Sequence, residues 1–341
     1  MKKKILFIDD ELDEENSQAY QISKDLSNRG FDILPCLSFE WEEISKIIKE
    51  NYRSLRLILC DLKDSKSNPT GWNTISTIKS PENKKHLIEG IDWFIECLPI
   101  IVITQVPEYQ EEIKEHGGEL VTLFDKTACQ GQAFRGCVEI LTNLFHKLCQ
   151  NEMSNRIAIS YTWNNKQAQD NHQPFVEHIA QKLYQEFKRE SVFYDKDKIS
   201  KTAGTKSNEL TKNIYGEGCD FVLIFLSNDY ATSGWTKKEW EQTKMRADNK
   251  YLFVAIEDLK QFEVAKNLFP EEWTIEVKDE DDEEEKNRFF NKHMPLYFDC
   301  YNLKKKFDSI REHNMLDAYN RVIESMENDI NKIVDNIKTR I

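Results

Sequence analysis

Long apolar segments are missing from this chain of 341 residues. No run approaches the roughly 18 consecutive apolar residues that a membrane-spanning helix requires. The apolar stretch that follows the N-terminal lysines is cut short by Asp9 and Asp10, which argues against a secretion signal. The sequence therefore predicts a protein without a membrane span, and we expect it in the cytoplasm.

The chain also has no net positive charge and no closely spaced pair of cysteines. The formal net charge is −13, and the first 150 residues and the remainder are both acidic, so nucleic acids and anionic membranes are unsuitable partners. No helix-turn-helix with a basic face is visible, which argues against a DNA-binding output. The eight cysteines contain no Cys-x-x-Cys pair and are predicted to be buried, reduced thiols.

The chain does contain two successive series of apolar strands and helices. Its length suits two domains of roughly 150 residues each. Apolar strands that alternate with helices indicate a parallel sheet covered on both faces. We therefore expect an α/β protein with two flavodoxin-like domains in series, each with a parallel five-stranded sheet and helices on both faces, plus a C-terminal helix. The predicted boundaries are a first domain at 1–150, a linker at 151–155 and a second domain at 156–341.

Ten segments are predicted as strands. They are Lys4–Ile8, Phe31–Leu34, Leu55–Cys60, Leu98–Ile103, Val121–Phe124, Arg156–Tyr161, Ser191–Tyr194, Asp220–Ser227, Tyr251–Ile256 and Met294–Phe298. The acidic run 279–285 interrupts the second series and is predicted to be a solvated loop. Near the C-terminus an apolar stripe advances in steps of three and four, which favours a helix packed on its own domain and leaves a coiled-coil dimer open. Its members are Leu316, Tyr319, Ile323, Met326, Ile330, Ile333 and Ile337.

Polar side chains collect at the predicted strand ends of the first domain. Asp9 and Asp10 follow the first strand, Asp61 the third, Thr104 the fourth and Lys126 the fifth. In an open parallel sheet these ends share one edge, where ligands bind. Three carboxylates in one place repel each other unless a hard cation lies between them, so Mg²⁺ is the expected partner.

This set, in this order, resembles the receiver domain of two-component response regulators. The resemblance implies that Asp9, Asp10 and Asp61 bind the metal and that Asp61 accepts a phosphoryl group. It also implies that Thr104 is the switch hydroxyl, that Lys126 contacts the phosphate, and that a phosphodonor or an upstream sensor is a partner. The alternative is a degenerate receiver in which the acidic residues only cap helices.

Three motifs stand out in the second domain. The first strand ends in Ile157-Ala158-Ile159-Ser160-Tyr161, and the second leads into a polar loop that contains Gly204. A buried strand is followed by Ser233-Gly234-Trp235-Thr236-Lys237-Lys238-Glu239, a Ser-x-Trp-x-x-x-Glu pattern. Together these motifs resemble the Toll/interleukin-1 receptor (TIR) domain over roughly residues 155–300.

TIR domains include adhesive signalling adaptors and enzymes that cleave the nicotinamide–ribose bond of NAD⁺. In the enzymes a helix carboxylate stabilises the cationic ribosyl centre, and the resemblance assigns that role to Glu239. Trp235 precedes Glu239 by about one helical turn and is expected on the same face, where it can limit water in the site. The alternative for Glu239 is an ordinary exposed carboxylate paired with a lysine.

The resemblance implies further contacts with the nucleotide. Asp195 and Lys198 match positions that line the nucleotide site of NAD-cleaving relatives, with a polar loop edge as the alternative. The residues at the exit of the first strand are further candidates: Ser160, Tyr161, Thr162 and Trp163. The loop with Gly204 completes the site of a neighbouring protomer in many family members, so a homo-oligomer is expected.

Three functions remain open at this point. The leading one is a bacterial NAD⁺-cleaving effector, with a linear or cyclic product, that serves antiphage defence and is regulated by the receiver-like domain. The second is a non-catalytic signalling adaptor in which both domains only bind partner proteins. The third is a response regulator whose TIR unit is an output that phosphorylation controls.

Overall fold

The computed structural model describes most of both predicted domains. The described residues are 3–62, 70–80, 91–104, 120–125, 155–162, 173–195, 208–227, 230, 233–246, 250–256, 297–299, 301–312 and 316–341, with single positions or pairs and triplets between 139 and 150. The chain divides into two units, Met1–Ser154 and Asn155–Ile341. The division falls within the polar stretch that the sequence suggests as a linker.

The first unit contains one parallel sheet. Its strands are β1 (Lys4–Ile8), β2 (Asp32–Cys36), β3 (Leu55–Asp61), β4 (Ile100–Thr104) and β5 (Val121–Asp125), and its helices are α1 (Gln18–Asn28), α2 (Trp41–Asn51), α3 (Thr70–Lys79) and α4 (Ile91–Glu96). The strand order is β2-β1-β3-β4-β5, and each described pair is parallel. This order is the flavodoxin-like one.

Alternate residues of the central strands of this sheet are buried on its two faces. Ile5, Phe7, Leu57 and Leu59 share a core with the apolar side of α1, while Leu6, Ile8, Ile58 and Cys60 are equally buried. A strand buried on both sides reads as a continuous apolar run, and that pattern made β1 and β3 recognisable in the sequence.

The second unit repeats the arrangement. Its strands are β6 (Ile157–Ser160), β7 (Val192–Phe193), β8 (Phe221–Leu226), β9 (Tyr251–Ala255) and β10 (Tyr297–Asp299), in the order β10-β9-β8-β6-β7 with every pair parallel. Its helices are α5 (Gln173–Phe187), α6 (Asn208–Thr211), α7 (Gly234–Lys244), α8 (Tyr301–Glu312) and α9 (Leu316–Arg340), together with a 3₁₀ turn at Arg189–Ser191 and a π-helical segment at Lys212–Gly218. Counted along this unit, the strand order is again 2-1-3-4-5.

Helices cover both faces of this second sheet. On one face, residues of α5 and α9 join Ile157, Phe221 and Leu223 in one core. On the other, Trp240 of α7 packs its ring against Tyr251 and Phe253 of β9. The predicted fold of two successive α/β units with a C-terminal helix is therefore confirmed.

The C-terminal stripe packs on its own unit. Ile330, Ile333 and Ile337 of α9 are buried in the core that α5 and the sheet form. Lys338 also donates a 2.5 Å hydrogen bond to Glu186 of α5. The described side chains of this helix therefore pack on their own unit, which favours that alternative over a coiled-coil dimer.

Two predictions from composition agree with the structure. The five cysteines that the structure describes are buried thiols outside any disulfide: Cys36, Cys60, Cys97, Cys149 and Cys219. No helix among the described residues is long and apolar enough to cross a membrane. The acidic run 279–285 lies outside the described residues.

Candidate functional site

A cleft opens near the carboxyl end of the second sheet. It is a shallow cleft that is partly open to solvent. The apolar side chains that line it are Phe193, Leu210, Ile214 and Trp235, and the polar ones are Asp195, Thr211, Tyr215 and Glu239. Because β6 lies between β7 and β8, the strand order reverses close to this place, where open α/β sheets generally bind ligands.

Helix α7 supplies two residues of the cleft from consecutive turns. Thr236, Trp240 and Thr243 form its buried face and fix the helix against the sheet. Trp235 and Glu239 lie beside that face, so both reach the cleft. Trp235 keeps 36% of its surface exposed, and the ammonium of Lys238 lies 5.0 Å from the centre of its ring.

Glu239 is held by a short hydrogen-bonded chain. The hydroxyl of Ser160, at the end of β6, donates to Oε2 of Glu239 across 2.6 Å. The same hydroxyl oxygen lies 2.6 Å from the phenolic oxygen of Tyr230. Ser160 and Tyr230 are both almost fully buried, so water does not compete for these bonds.

The backbone of Tyr230 is anchored on both sides. Its N–H lies 3.0 Å from the carbonyl oxygen and 3.2 Å from the hydroxyl of Ser227, which follows β8. Its carbonyl oxygen accepts a hydrogen bond from Thr236 in the first turn of α7. The end of β6, the segment after β8 and the start of α7 therefore meet at Tyr230.

Three tyrosines near the cleft remain neutral at physiological pH. Burial, reinforced by the negative charge of Glu239, raises the pKa of Tyr230 well above its ordinary value. Burial together with Glu239 and Asp195 does the same to the pKa of Tyr215, whose hydroxyl donates to the carbonyl of Ile159. Burial and the charge of Asp195 raise the pKa of Tyr161 as well. Each phenol therefore keeps its proton and acts as a hydrogen-bonding group.

The structure brings part of the predicted nucleotide site together. Asp195, Trp235 and Glu239 line one cleft, and Ser160 contacts Glu239. Tyr161 and Thr162 are buried beside the end of β6, where the ring of Tyr161 packs on that of Tyr194. Trp163, Lys198 and Gly204 lie outside the described residues.

The predicted phosphorylation site lies at the strand ends of the first unit. Ile8 pairs with Cys60, so Asp9 and Asp61 directly follow two paired positions. Burial of the Cys60 thiol, reinforced by the negative charges of Asp61 and Asp9, raises its pKa well above the ordinary value, so both carboxylates lie near that thiol. Asp10 is half-buried beside Asp9, Thr104 ends β4, and Lys126 lies outside the described residues.

The donor atoms at this edge have the chemistry that Mg²⁺ prefers. Asp9 is buried, and its Oδ1 accepts the N–H of Glu11 across 3.0 Å, which orients the carboxylate. Across the part of the chain that the structure describes, no three His, Cys, Asp or Glu side chains are close enough to share one ion. Mg²⁺ often takes only one or two protein carboxylates and keeps several waters. Asp9 and Asp61 fit that simpler mode.

Several residues in and behind the cleft carry no recognisable signal in the sequence. Tyr230 lies behind the cleft, between β8 and α7, and belongs to none of the motifs from which the site is predicted. Leu210, Thr211, Ile214 and Tyr215 were missed altogether, because the π-helical segment that presents the last two has no sequence signature of its own. The polar residues Asp195 and Glu239 were found because each follows a recognisable buried strand or motif.

Comparison with known proteins supports the TIR resemblance. Residues 157–289 match the family model of the TIR domain, and this segment contains Ser160, Asp195, Trp235 and Glu239. No curated protein matches the chain. A crystal structure of NtrX from Brucella abortus in complex with ATP is similar at 13% identity with a TM-score of 0.26, covering 80% of this chain and 64% of that one. The chain thus covers less than two thirds of the length of that protein.

Proposed function

We propose that the second unit cleaves the nicotinamide–ribose bond of NAD⁺. The observation that carries the proposal is the position of Glu239, a carboxylate that lines the cleft while a buried hydroxyl fixes one of its oxygens. A TIR domain supports either NAD⁺ cleavage or an adaptor role. An oriented carboxylate in a cleft with aromatic and apolar walls favours cleavage, because an adaptor surface has no need of one.

The reaction makes simple demands on the protein. The C–N bond breaks and nicotinamide leaves as a neutral molecule with the bonding electron pair. The ribosyl carbon is left with positive charge, which the carboxylate of Glu239 stabilises electrostatically. Water then adds to that carbon and loses a proton, which gives ADP-ribose; attack by an atom of the adenine ring instead gives a cyclic product.

The other residues of the cleft suit the remaining parts of the substrate. The exposed indole of Trp235 offers a stacking surface for an aromatic ring. Asp195, shortly after β7, offers a carboxylate that can accept hydrogen bonds from the ribose hydroxyls. The apolar side chains of Phe193, Leu210 and Ile214 reduce the water around Glu239, which strengthens its electrostatic effect.

Incubation of the purified protein with NAD⁺ tests the proposal directly. Chromatography with mass detection would resolve nicotinamide, ADP-ribose and cyclic ADP-ribose isomers. Release of nicotinamide that depends on Glu239 supports the enzyme. Its absence at micromolar protein, with and without a phosphodonor, favours the adaptor.

We further propose that assembly and the first unit regulate this activity. The chain from Asp195 to Thr205 carries several lysines that suit either the NAD⁺ pyrophosphate or an acidic neighbour. If a second copy completes the site, specific activity rises with protein concentration. Measurement across a hundredfold dilution, with light scattering in parallel, tests this; constant specific activity from a monomer contradicts it. We propose that the NAD⁺-cleaving activity serves antiphage defence.

A further inference from the structure

The hydrogen-bonded chain behind Glu239 has only one direction when that carboxylate is ionised. An ionised carboxylate can only accept, so Ser160 donates its single hydroxyl proton to Oε2 of Glu239. The oxygen of Ser160 must then accept the phenolic proton of Tyr230, because the only hydroxyl proton of Ser160 is already donated to Glu239. The order of donation is Tyr230 to Ser160 to Glu239.

We infer that Tyr230 is a positioning residue that acts through Ser160 to hold Glu239 in its orientation and in its ionised form. The inference rests on the proposed function, because it assigns the role of a residue in that same site. Tyr230 does not line the cleft among the described side chains. Its contribution therefore reaches the substrate only through Ser160 and Glu239.

The surroundings of Tyr230 suit this role. Its side chain is fully buried. Its backbone is fixed by the hydrogen bond that its N–H donates to Ser227 and by the one that its carbonyl accepts from Thr236. A phenol that keeps its proton polarises the hydroxyl of Ser160, and hydrogen bonds arranged in one direction strengthen each other. A donor to the charged form of a carboxyl group favours that form.

Other titratable groups around Glu239 must be considered as well. Tyr215, in the π-helical segment, interacts electrostatically with Glu239 and with Asp195, which follows β7. Cys219 also lies close to Tyr215. Tyr215 is hydrogen-bonded to the carbonyl of Ile159. Asp195 carries the same charge as Glu239 and therefore opposes its ionisation, so the donors on the Ser160 side compensate for that repulsion.

The test measures the ionisation of Glu239 by a method that needs no turnover. The full chain, labelled with carboxyl-¹³C glutamate, is titrated by NMR, and the signal of Glu239 is identified by its loss in Glu239→Gln. Tyr230→Phe removes only the phenolic oxygen and should raise the apparent pKa of Glu239 by about one pH unit. Ser160→Ala removes the direct donor and should raise it further. The acidic limb of kcat for NAD⁺ should move upward by the same amount, with KM unchanged within about twofold.

The control is Tyr251→Phe, the same substitution in β9 of the same unit, where the ring packs on Trp240 and Phe253. It should leave the Glu239 titration unchanged. If Tyr230 only fills space, Tyr230→Phe lowers the unfolding temperature without a shift in that titration, which overturns the inference. If Tyr230→Phe does not fold, Ser160→Ala tests the link through which Tyr230 would act, and an unchanged Glu239 titration in that variant overturns the inference. Failure of the proposed function is distinct: the wild type then releases no nicotinamide, while the NMR shift still reports on Tyr230.

Discussion

Ser160 donates a 2.6 Å hydrogen bond to Glu239, which lies 79 residues later in the chain. One residue ends a strand and the other belongs to a helix on the face of the sheet, so the bond is a product of the fold and not of local sequence. Charge-assisted hydrogen bonds of this length are among the stronger ones in proteins. The pair fixes a carboxylate at the cleft, and this is the feature on which the proposed reaction depends.

Replacement of Glu239 should abolish nicotinamide release. We expect Glu239→Gln to lower kcat at least a hundredfold, because an oriented charge that stabilises a charged transition state contributes about 3 kcal/mol or more. Glutamine keeps the size of the side chain, so folding should be preserved. The measurement is initial-rate kinetics with NAD⁺, accompanied by circular dichroism.

Glu241→Gln is the matched control for that experiment. Glu241 is an exposed carboxylate on the same helix and should be dispensable, with kcat within about twofold of the wild type. Retention of more than about a tenth of wild-type turnover by Glu239→Gln, equivalent to only about 1.4 kcal/mol, would show that the catalytic assignment is wrong.

Loss of the indole at position 235 should weaken substrate binding. Trp235 lines the cleft with a partly exposed ring, and stacking of a base on an aromatic side chain contributes about 1–3 kcal/mol. We expect Trp235→Ala to raise KM for NAD⁺ about tenfold or more and Trp235→Phe to raise it less. Met245→Ala, at an exposed position just after the same helix, should leave KM unchanged. An equal KM for Trp235→Ala and the wild type would place the base elsewhere.

The fold could be predicted because its strands carry a strong pattern. Leu55–Asp61 and Phe221–Leu226 are buried on both faces, so each is a nearly unbroken apolar run that marks a central parallel strand. Once such strands are recognised, the residue after each run lies at the edge where ligands bind. That reasoning led to Asp9 and Asp61, whereas the resemblance to the TIR domain pointed to Ser160 and Asp195.

Tyr230 could not be assigned a role by the same reasoning. Its function depends on the oxygen of Ser160, which is 70 residues away in the sequence, and no periodicity connects the two. The π-helical segment Lys212–Gly218 is likewise set by packing: Arg246, just after α7, donates to the carbonyl of Gly216. Such contacts arise from tertiary structure, which overrides local propensity.

Gly71 should be intolerant of a side chain. A Cβ at this position would collide with the carbonyl oxygen of Asp61 at the end of β3, and the N–H of Gly71 is bonded to the carbonyl of Leu62. Replacing glycine by alanine within a helix normally raises the free energy of unfolding by about 0.5–1 kcal/mol. A steric collision lowers it by about 1–3 kcal/mol, which outweighs that gain. We expect Gly71→Ala to lower the free energy of unfolding of the first unit, as measured by calorimetry.

Gly234→Ala is the control for this collision. Gly234 also lies in the first turn of a helix, and an added Cβ would meet no atom within 4 Å. Its replacement should leave the unfolding temperature unchanged or slightly raised. Equal stability of Gly71→Ala and the wild type would contradict the close approach of α3 to β3.

Stability should fall as the pH decreases below about 6.5 because of His178. Its ring lies on α5, 5.9 Å from the ring of Phe307, and burial lowers its pKa from the ordinary value of 6.5, although Glu327 partly offsets this. The unfolded chain therefore binds a proton more readily than the folded chain, and protonation favours unfolding. His178→Gln should show a weaker loss of stability between pH 7.5 and 5.5. Parallel stability–pH curves for the two proteins would contradict the prediction.

Asp61 should be the residue of the first unit that accepts a phosphoryl group. It ends β3 beside Asp9, and the two carboxylates suit a Mg²⁺ ion held by one or two side chains. With acetyl phosphate the phosphoryl group passes to the carboxylate of Asp61 and acetate leaves. Intact-mass spectrometry should detect one added phosphoryl group in the wild type with Mg²⁺, and none in Asp61→Asn. Asp9→Asn should reduce labelling because the metal loses a ligand.

The matched control is Asp25→Asn, which removes a carboxylate that pairs with Arg29 on the surface of α1 and should label like the wild type. The same samples should also be assayed with NAD⁺. If the first unit regulates the second, phosphorylation of Asp61 changes the rate of nicotinamide release. Labelling that persists in Asp61→Asn would assign the phosphoryl group to another residue. A wild type that takes up no phosphoryl group would leave the strand-end carboxylates with a structural role only.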